Sequence, residues 1–129
     1  MLPIRAAFAS FSTNDISAAK AFYGDKLGLE VRDTPMGVIE VMLGADQHVT
    51  IYPKPNHEPA SFTVLNFVVP NIDEAIDDLT SMGIEMQHYD MPGIQQDAKG
   101  IVRDPQGSQA IAWFLDNAGN TLAVIEDAS

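Results

Sequence analysis

Asn14-Asp15-Ile16-Ser17-Ala18-Ala19-Lys20-Ala21-Phe22-Tyr23, running into Leu27-Gly28-Leu29-Glu30-Val31, is echoed later in the chain. The echo is Asn71-Ile72-Asp73-Glu74-Ala75, running into Met82-Gly83-Ile84-Glu85-Met86. A repeat fixes architecture and says which residues stand in equivalent places. At an offset of about 56 residues, Phe8 falls on Val64, Ser10 on Asn66, Phe11 on Phe67 and Ile16 on Ile72. A single-residue gap then brings Gly28 onto Gly83. Each copy reads as strand, helix, glycine and three further strands.

The local reasons are these. Ile4 to Phe11 is nearly continuous in small apolar side chains, the pattern of a strand buried on both faces. Asp15 offers an N-cap oxygen, and Ile16, Ala19, Phe22, Tyr23 and Leu27 recur at helical spacing. Gly28 ends that helix where a left-handed residue is usual, and Leu29-Glu30-Val31 resumes with strand alternation. In the second copy Asn71 or Asp73 can cap, and Ile72, Ala75, Ile76 and Leu79 form the apolar stripe. Gly83 terminates that helix, and Ile84-Glu85-Met86-Gln87 alternates. Hairpin pairs follow, Val38 to Leu43 with His48 to Tyr52, and Gln109 to Leu115 with Thr121 to Glu126. The second pair is joined by Asp116-Asn117-Ala118-Gly119-Asn120, whose Asn and Gly residues tolerate the positive φ a turn requires.

Composition predicts one soluble domain of two modules, because 129 residues bury a real core while either half alone would be marginal. No apolar run approaches bilayer length and no basic-then-apolar leader opens the chain, so neither a membrane partner nor a signal peptide is expected. The absence of cysteine excludes disulfides, thiolate nucleophiles and thiolate metal sites. A cytoplasmic location follows as an expectation. A net charge of −11 with only seven Lys and Arg argues against a nucleic-acid partner. Acidity fits a solvated surface, or attraction of a cationic ligand. Asp73, Glu74, Asp77 and Asp78 favour the first, since acids early in a helix suit its dipole and face water.

The pattern Asp15-Ile16-x-x-Ala19-x-x-Phe22-Tyr23-x-x-x-Leu27-Gly28, the Asn71-Ile72-Asp73-Glu74-Ala75 helix start and the ending Ala112-Trp113-Phe114-Leu115-Asp116-Asn117-Ala118-Gly119-Asn120 carry a resemblance. Together they resemble the vicinal oxygen chelate superfamily, the group of glyoxalase I, bleomycin-resistance proteins, fosfomycin-resistance enzymes and extradiol dioxygenases. The resemblance implies an α+β fold over residues 1–129, with module one at 1–56 and module two at 61–129. Its two βαβββ modules would form an eight-stranded cup with the ligand on the concave face, usually in a homodimer. Fold does not by itself imply an activity.

In metal-dependent members the resemblance implies four ligand positions, one on the first and one on the last strand of each module. Counted from the helix motifs and the Asp-x-x-Gly turn, they fall on Phe8, Thr50, Val64 and Ala123. A divalent ion needs imidazole, carboxylate or thiolate donors, and none of the four supplies one. The expectation is therefore no metal and no cofactor, with metal-dependent lyase or dioxygenase chemistry disfavoured and the bleomycin-resistance-like branch favoured.

Strand alternation places His48, Thr50 and Tyr52 on one face and Val49 and Ile51 on the helix side. The same argument places Asn66 with Val64 and Val68, and sends Leu65, Phe67 and Val69 to the helix. Lys54, held between Pro53 and Pro55, is a candidate at the mouth, whereas His57 and Glu58 are expected to face solvent. Met91 to Ser108 is long for a connection. It carries Lys99 as a ligand candidate, Gly93, Gly100 and Gly107 as hinges, and Met91, Ile94 and Ile101 as docking residues. Trp113, Phe114 and Met86 are core or cup-wall residues.

Three functions compete on these residues. A small-molecule binding protein without metal is the first. A metal-independent isomerase or lyase, using Tyr52, His48 or Lys54 with Asn66 polarising a carbonyl, is the second. A regulatory or protein-interaction module is the third. No catalytic residue is assigned.

Overall fold

The structure is a computed structural model that describes every residue except Met91, Ser108, Ala128 and Ser129. The chain divides into two compact units, Met1–Pro59 and Ala60–Ser129. Module one holds β1 (Ala9–Thr13), helix α1 (Ile16–Lys20) with a π-helical continuation Ala21–Lys26, β2 (Glu30–Asp33), β3 (Ile39–Gly44) and β4 (Gln47–Pro53). Its sheet runs β1-β4-β3-β2, with β1 and β4 parallel and the other pairs antiparallel.

Asp15 caps α1 as its position predicts, accepting the amide of Ala18 at 3.0 Å. Ala19, Phe22 and Tyr23 then point inward and pack on Phe11, Ile39, Val41, Val49 and Ile51, all less than a tenth exposed. The helix does not stay α-helical. From Ala21 it widens to i+5 bonds such as Leu27 N to Phe22 O, and Gly28 ends it at φ 74°. Strand β1 also departs from expectation, because it begins at Ala9 and buries only the Phe11 and Thr13 face. Ile4 is 67% exposed. Apolar side chains form a strand only where a partner strand takes up their backbone bonds, and Ile4 has none among the described residues.

Module two holds β5 (Thr63–Val69), α2 (Ile72–Ser81), β6 (Val102–Arg103), β7 (Gln109–Leu115) and β8 (Thr121–Asp127), in sheet order β5-β8-β7-β6. Of the two capping residues, Asn71 does the work, accepting the Glu74 amide at 3.1 Å. Gly83, at φ 84°, closes the helix with Gly83 N to Thr80 O and Ile84 N to Leu79 O, a Schellman arrangement. Ile72, Ile76 and Leu79 are buried by the packing of α2 on β8, on the covered face that also holds Ala112, Phe114, Leu122 and Val124.

The strand expected at Ile84 to Gln87 is reduced to a bridge between Met86 and Phe114, with Gln87 N bonded to Trp113 O at 2.8 Å. Its other half is β6, paired with Ala110 and Ile111 further along the same edge of β7. The fourth strand is thus split by the segment between them. That segment docks, with Ile101 1% exposed and the Gln96 side chain bonded to Gln87 O and Gly100 O. Gly100 is no hinge, because it is buried and a β-carbon there would meet Gln87 O at 3.1 Å. Met91 lies outside the described residues.

At the β7–β8 turn only Gly119 takes positive φ, and neither Asn does. Asn120 is buried instead, and donates through its side-chain amide to Asp116 at 3.0 Å.

Candidate functional site

Strand registers define an open face in each module, opposite the face its helix covers. In module one Ser10 pairs with Thr50 and Thr50 with Glu40, while Ser12 pairs with Tyr52 and His48 with Met42. The predicted grouping of His48, Thr50 and Tyr52 away from buried Val49 and Ile51 is therefore the observed one. Phe8 joins them, its ring stacked on His48 at 4.9 Å between centroids. His48 Nε2 lies 3.9 Å from Glu40 Oε2. This face is polar, as its hydroxyl, imidazole and carboxylate groups require.

His57 is not the solvent-facing residue its loop position suggested. It is half-buried, and its Nδ1 lies 2.6 Å from Ser12 Oγ. Ser12 went unnoticed in the sequence because its partner lies 45 residues away. Lys54 is exposed, and its backbone amide is bonded to Thr13 O.

In module two the open face is apolar. Asn66 pairs with Ala123 and Ala123 with Trp113, while Val68, Ile125, Ile111 and Val102 form the adjoining row. The β5–β8 pairing repeats that of β1 and β4, Asn66 with Ala123 corresponding to Ser10 with Thr50. Asn66 is exposed, so its amide is open to solvent and burial sets no demand for a protein partner. Trp113 meets Tyr89 edge to face at 5.4 Å, and burial raises the Tyr89 phenol above its ordinary value. A groove of about 610 Å³ lies over Val102, Ile111 and Ile125, rimmed by Gln95, Asp104 and Gln109.

Val64 is the extra residue of a bulge, since pairing steps from Thr63–Thr121 directly to Leu65–Leu122. Its counterpart Phe8 stands one residue before β1. The four positions that the resemblance assigns to metal ligands carry a phenyl ring, a hydroxyl and two aliphatic groups, which do not fit a divalent ion. Among the described residues no cluster of three or more His, Asp or Glu is arranged to hold one.

Lys99 is not with Asn66, Ala123 and Trp113. Its Nζ lies 3.0 Å from Asp77 and 3.3 Å from Asp73 on α2, and Arg103 reaches Asp73 at 3.1 Å. The hydrogen bond that Lys99 donates to Asp73 holds that carboxyl below its ordinary value, and the one it donates to Asp77 raises Lys99. Asp73 and Asp77 are thus tethers for the loop as well as solvated helix acids.

The chain matches, over residues 5–124, the family model described as Glyoxalase/Bleomycin resistance protein/Dioxygenase superfamily. None of the curated proteins matches it. Among solved structures it is similar to a member of that superfamily from Sphaerobacter thermophilus, at 25% identity and TM-score 0.69, over 95% of this chain and 98% of that one. A glyoxalase family protein from Enterococcus faecalis is also 25% identical, with TM-score 0.66 over 98% and 100% of the two chains. The fosfomycin resistance protein FosX from Listeria monocytogenes shares the fold at TM-score 0.72 and 12% identity, over 97% and 94%.

Proposed function

The chain belongs to the Glyoxalase/Bleomycin resistance protein/Dioxygenase superfamily, and from that premise we propose that it binds a small, partly apolar organic molecule without using a metal. The observation that carries this reading is the apolar open face of module two. A groove of about 610 Å³ with an aliphatic floor and a few polar groups at its rim has the size and lining of small-molecule sites. The residues proposed to contact ligand in module two are Val102, Ile111 and Ile125 in the groove, with Asn66, Ala123 and Trp113 in the adjoining row of the same face. Phe8, His48, Thr50, Tyr52 and Lys54 are a separate set of candidates within module one. Lys99 is left out, because its charge is spent on α2.

The proposal includes a homodimer, supported by the family likeness and by exposed apolar side chains such as Leu2, Phe62 and Val68. It also includes action in the cytoplasm, where a chain without cysteine loses nothing to reducing conditions.

The test is a thermal-shift screen of small molecules graded in polarity and charge, since a ligand that binds only the folded state raises the melting temperature. Stabilisation by one class, lost in Ile111→Arg with folding retained, is expected. If no class stabilises the protein, the proposal fails. Turnover that survives chelator and disappears in Tyr52→Phe would replace sequestration with catalysis.

A further inference from the structure

We infer that the tip of the β3–β4 hairpin in module one is a binding site for a small organic cation, such as a substituted ammonium. Gly44 pairs with Gln47, leaving Ala45 and Asp46 as a two-residue turn, and both have positive φ, 49° and 62°. Turns of this kind favour Asn-Gly, because a β-carbon is strained at positive φ. Here the chain keeps an alanine and a carboxylate where glycine would sit more easily. Strain held at non-glycine residues points to a use for the side chain it places.

Beside the turn lies a cavity of about 300 Å³, lined by Asp46, Gln47, His48, Leu43 and Phe8. The Phe8 ring is backed by His48, at 28° between planes, and remains 61% exposed. The exposed Asp46 carboxylate has no hydrogen bond or ion pair among the described residues. A carboxylate and an exposed aromatic ring lining the same cavity suit a cation, through charge and through the ring quadrupole. An anion would be repelled. The volume is at the low end for ligand sites, which limits the guest to a small molecule. A net charge of −11 raises the local concentration of cations around the whole protein.

This site draws on Phe8 and His48 of the module-one candidates but on no residue of the module-two groove, so either the groove or this site can fail while the other stands. The probe is benzyltrimethylammonium, titrated calorimetrically into the intact protein at low salt, with benzyl alcohol as the uncharged control. Saturable binding of the cation is expected, with none for the alcohol. Asp46→Asn keeps a side chain that tolerates positive φ, and should weaken binding about tenfold or more. Asp46→Gly and Ala45→Gly both relieve strain and should raise the melting temperature, but only Ala45→Gly should keep the affinity. Absence of saturable binding to the unaltered protein, equal binding of the alcohol, or full affinity in Asp46→Asn would each overturn the inference.

Discussion

Phe114 has no exposed surface, whereas its ring neighbour Phe67, at 6.5 Å, is only half-buried. A side chain already partly hydrated loses less transfer free energy and leaves a smaller cavity on truncation. Phe114→Ala should therefore cost about 3–5 kcal/mol, and Phe67→Ala clearly less, in urea denaturation. Strand alternation alone could not rank them, because both lie on the covered side of their strands. Glycines divide in the same way. Gly28 and Gly83 were legible as helix terminators, since each follows the last apolar residue of a helical stripe. Gly100 has the sequence setting of a hinge, and only the packed structure shows that a β-carbon there would meet Gln87 O at 3.1 Å.

At the scale of elements, the π-helical turn of module one invites a simple test. A β-carbon on Gly24 would meet Val31 at 3.5 Å, an ordinary contact, and its φ is not positive. Gly24→Ala should thus stabilise by roughly 0.4–1 kcal/mol through loss of unfolded-state freedom, measured as a higher denaturation midpoint. In module two the docked segment is tied to α2 by Lys99 and Arg103. Asp73 is depressed below 3.8 in the folded state, so its contribution is present above that value and is lost as pH falls through the lower folded one. Lys99 is raised above 10.5, so its contribution is present below that value and is lost as pH rises through the higher folded one. Amide exchange of residues 97–101 should therefore be slowest, relative to intrinsic rates, between those limits, and should quicken in Lys99→Met. The ties are exposed and screened, and added salt should loosen them as well.

At the scale of the whole molecule, the donor chemistry of Phe8, Thr50, Val64 and Ala123 leads to a direct expectation. Elemental analysis of untagged protein should show no stoichiometric zinc, nickel, iron or manganese, and chelator should leave the melting temperature unchanged. About one tightly held metal per chain would disprove metal-independent binding. Light scattering at micromolar concentrations should give twice the chain mass of 14.0 kDa, and a monomer throughout would remove the proposed dimer. The sequence by itself determined the repeat, the Asp15 cap and the two faces of β4, because these follow from side-chain chemistry at neighbouring positions. Asp15, the alternation of His48 to Tyr52 and the matching of Ser10–Thr50 to Asn66–Ala123 were all readable in that way, whereas the choice of Asn71 over Asp73 as the second cap was not. Tertiary structure alone decided the split of the fourth strand in module two, the Ser12–His57 bond, the capture of Lys99 by α2 and the strained Ala45–Asp46 turn. Each of these depends on which distant groups compete for a backbone bond or a charge, and that competition is settled only when the chain has packed.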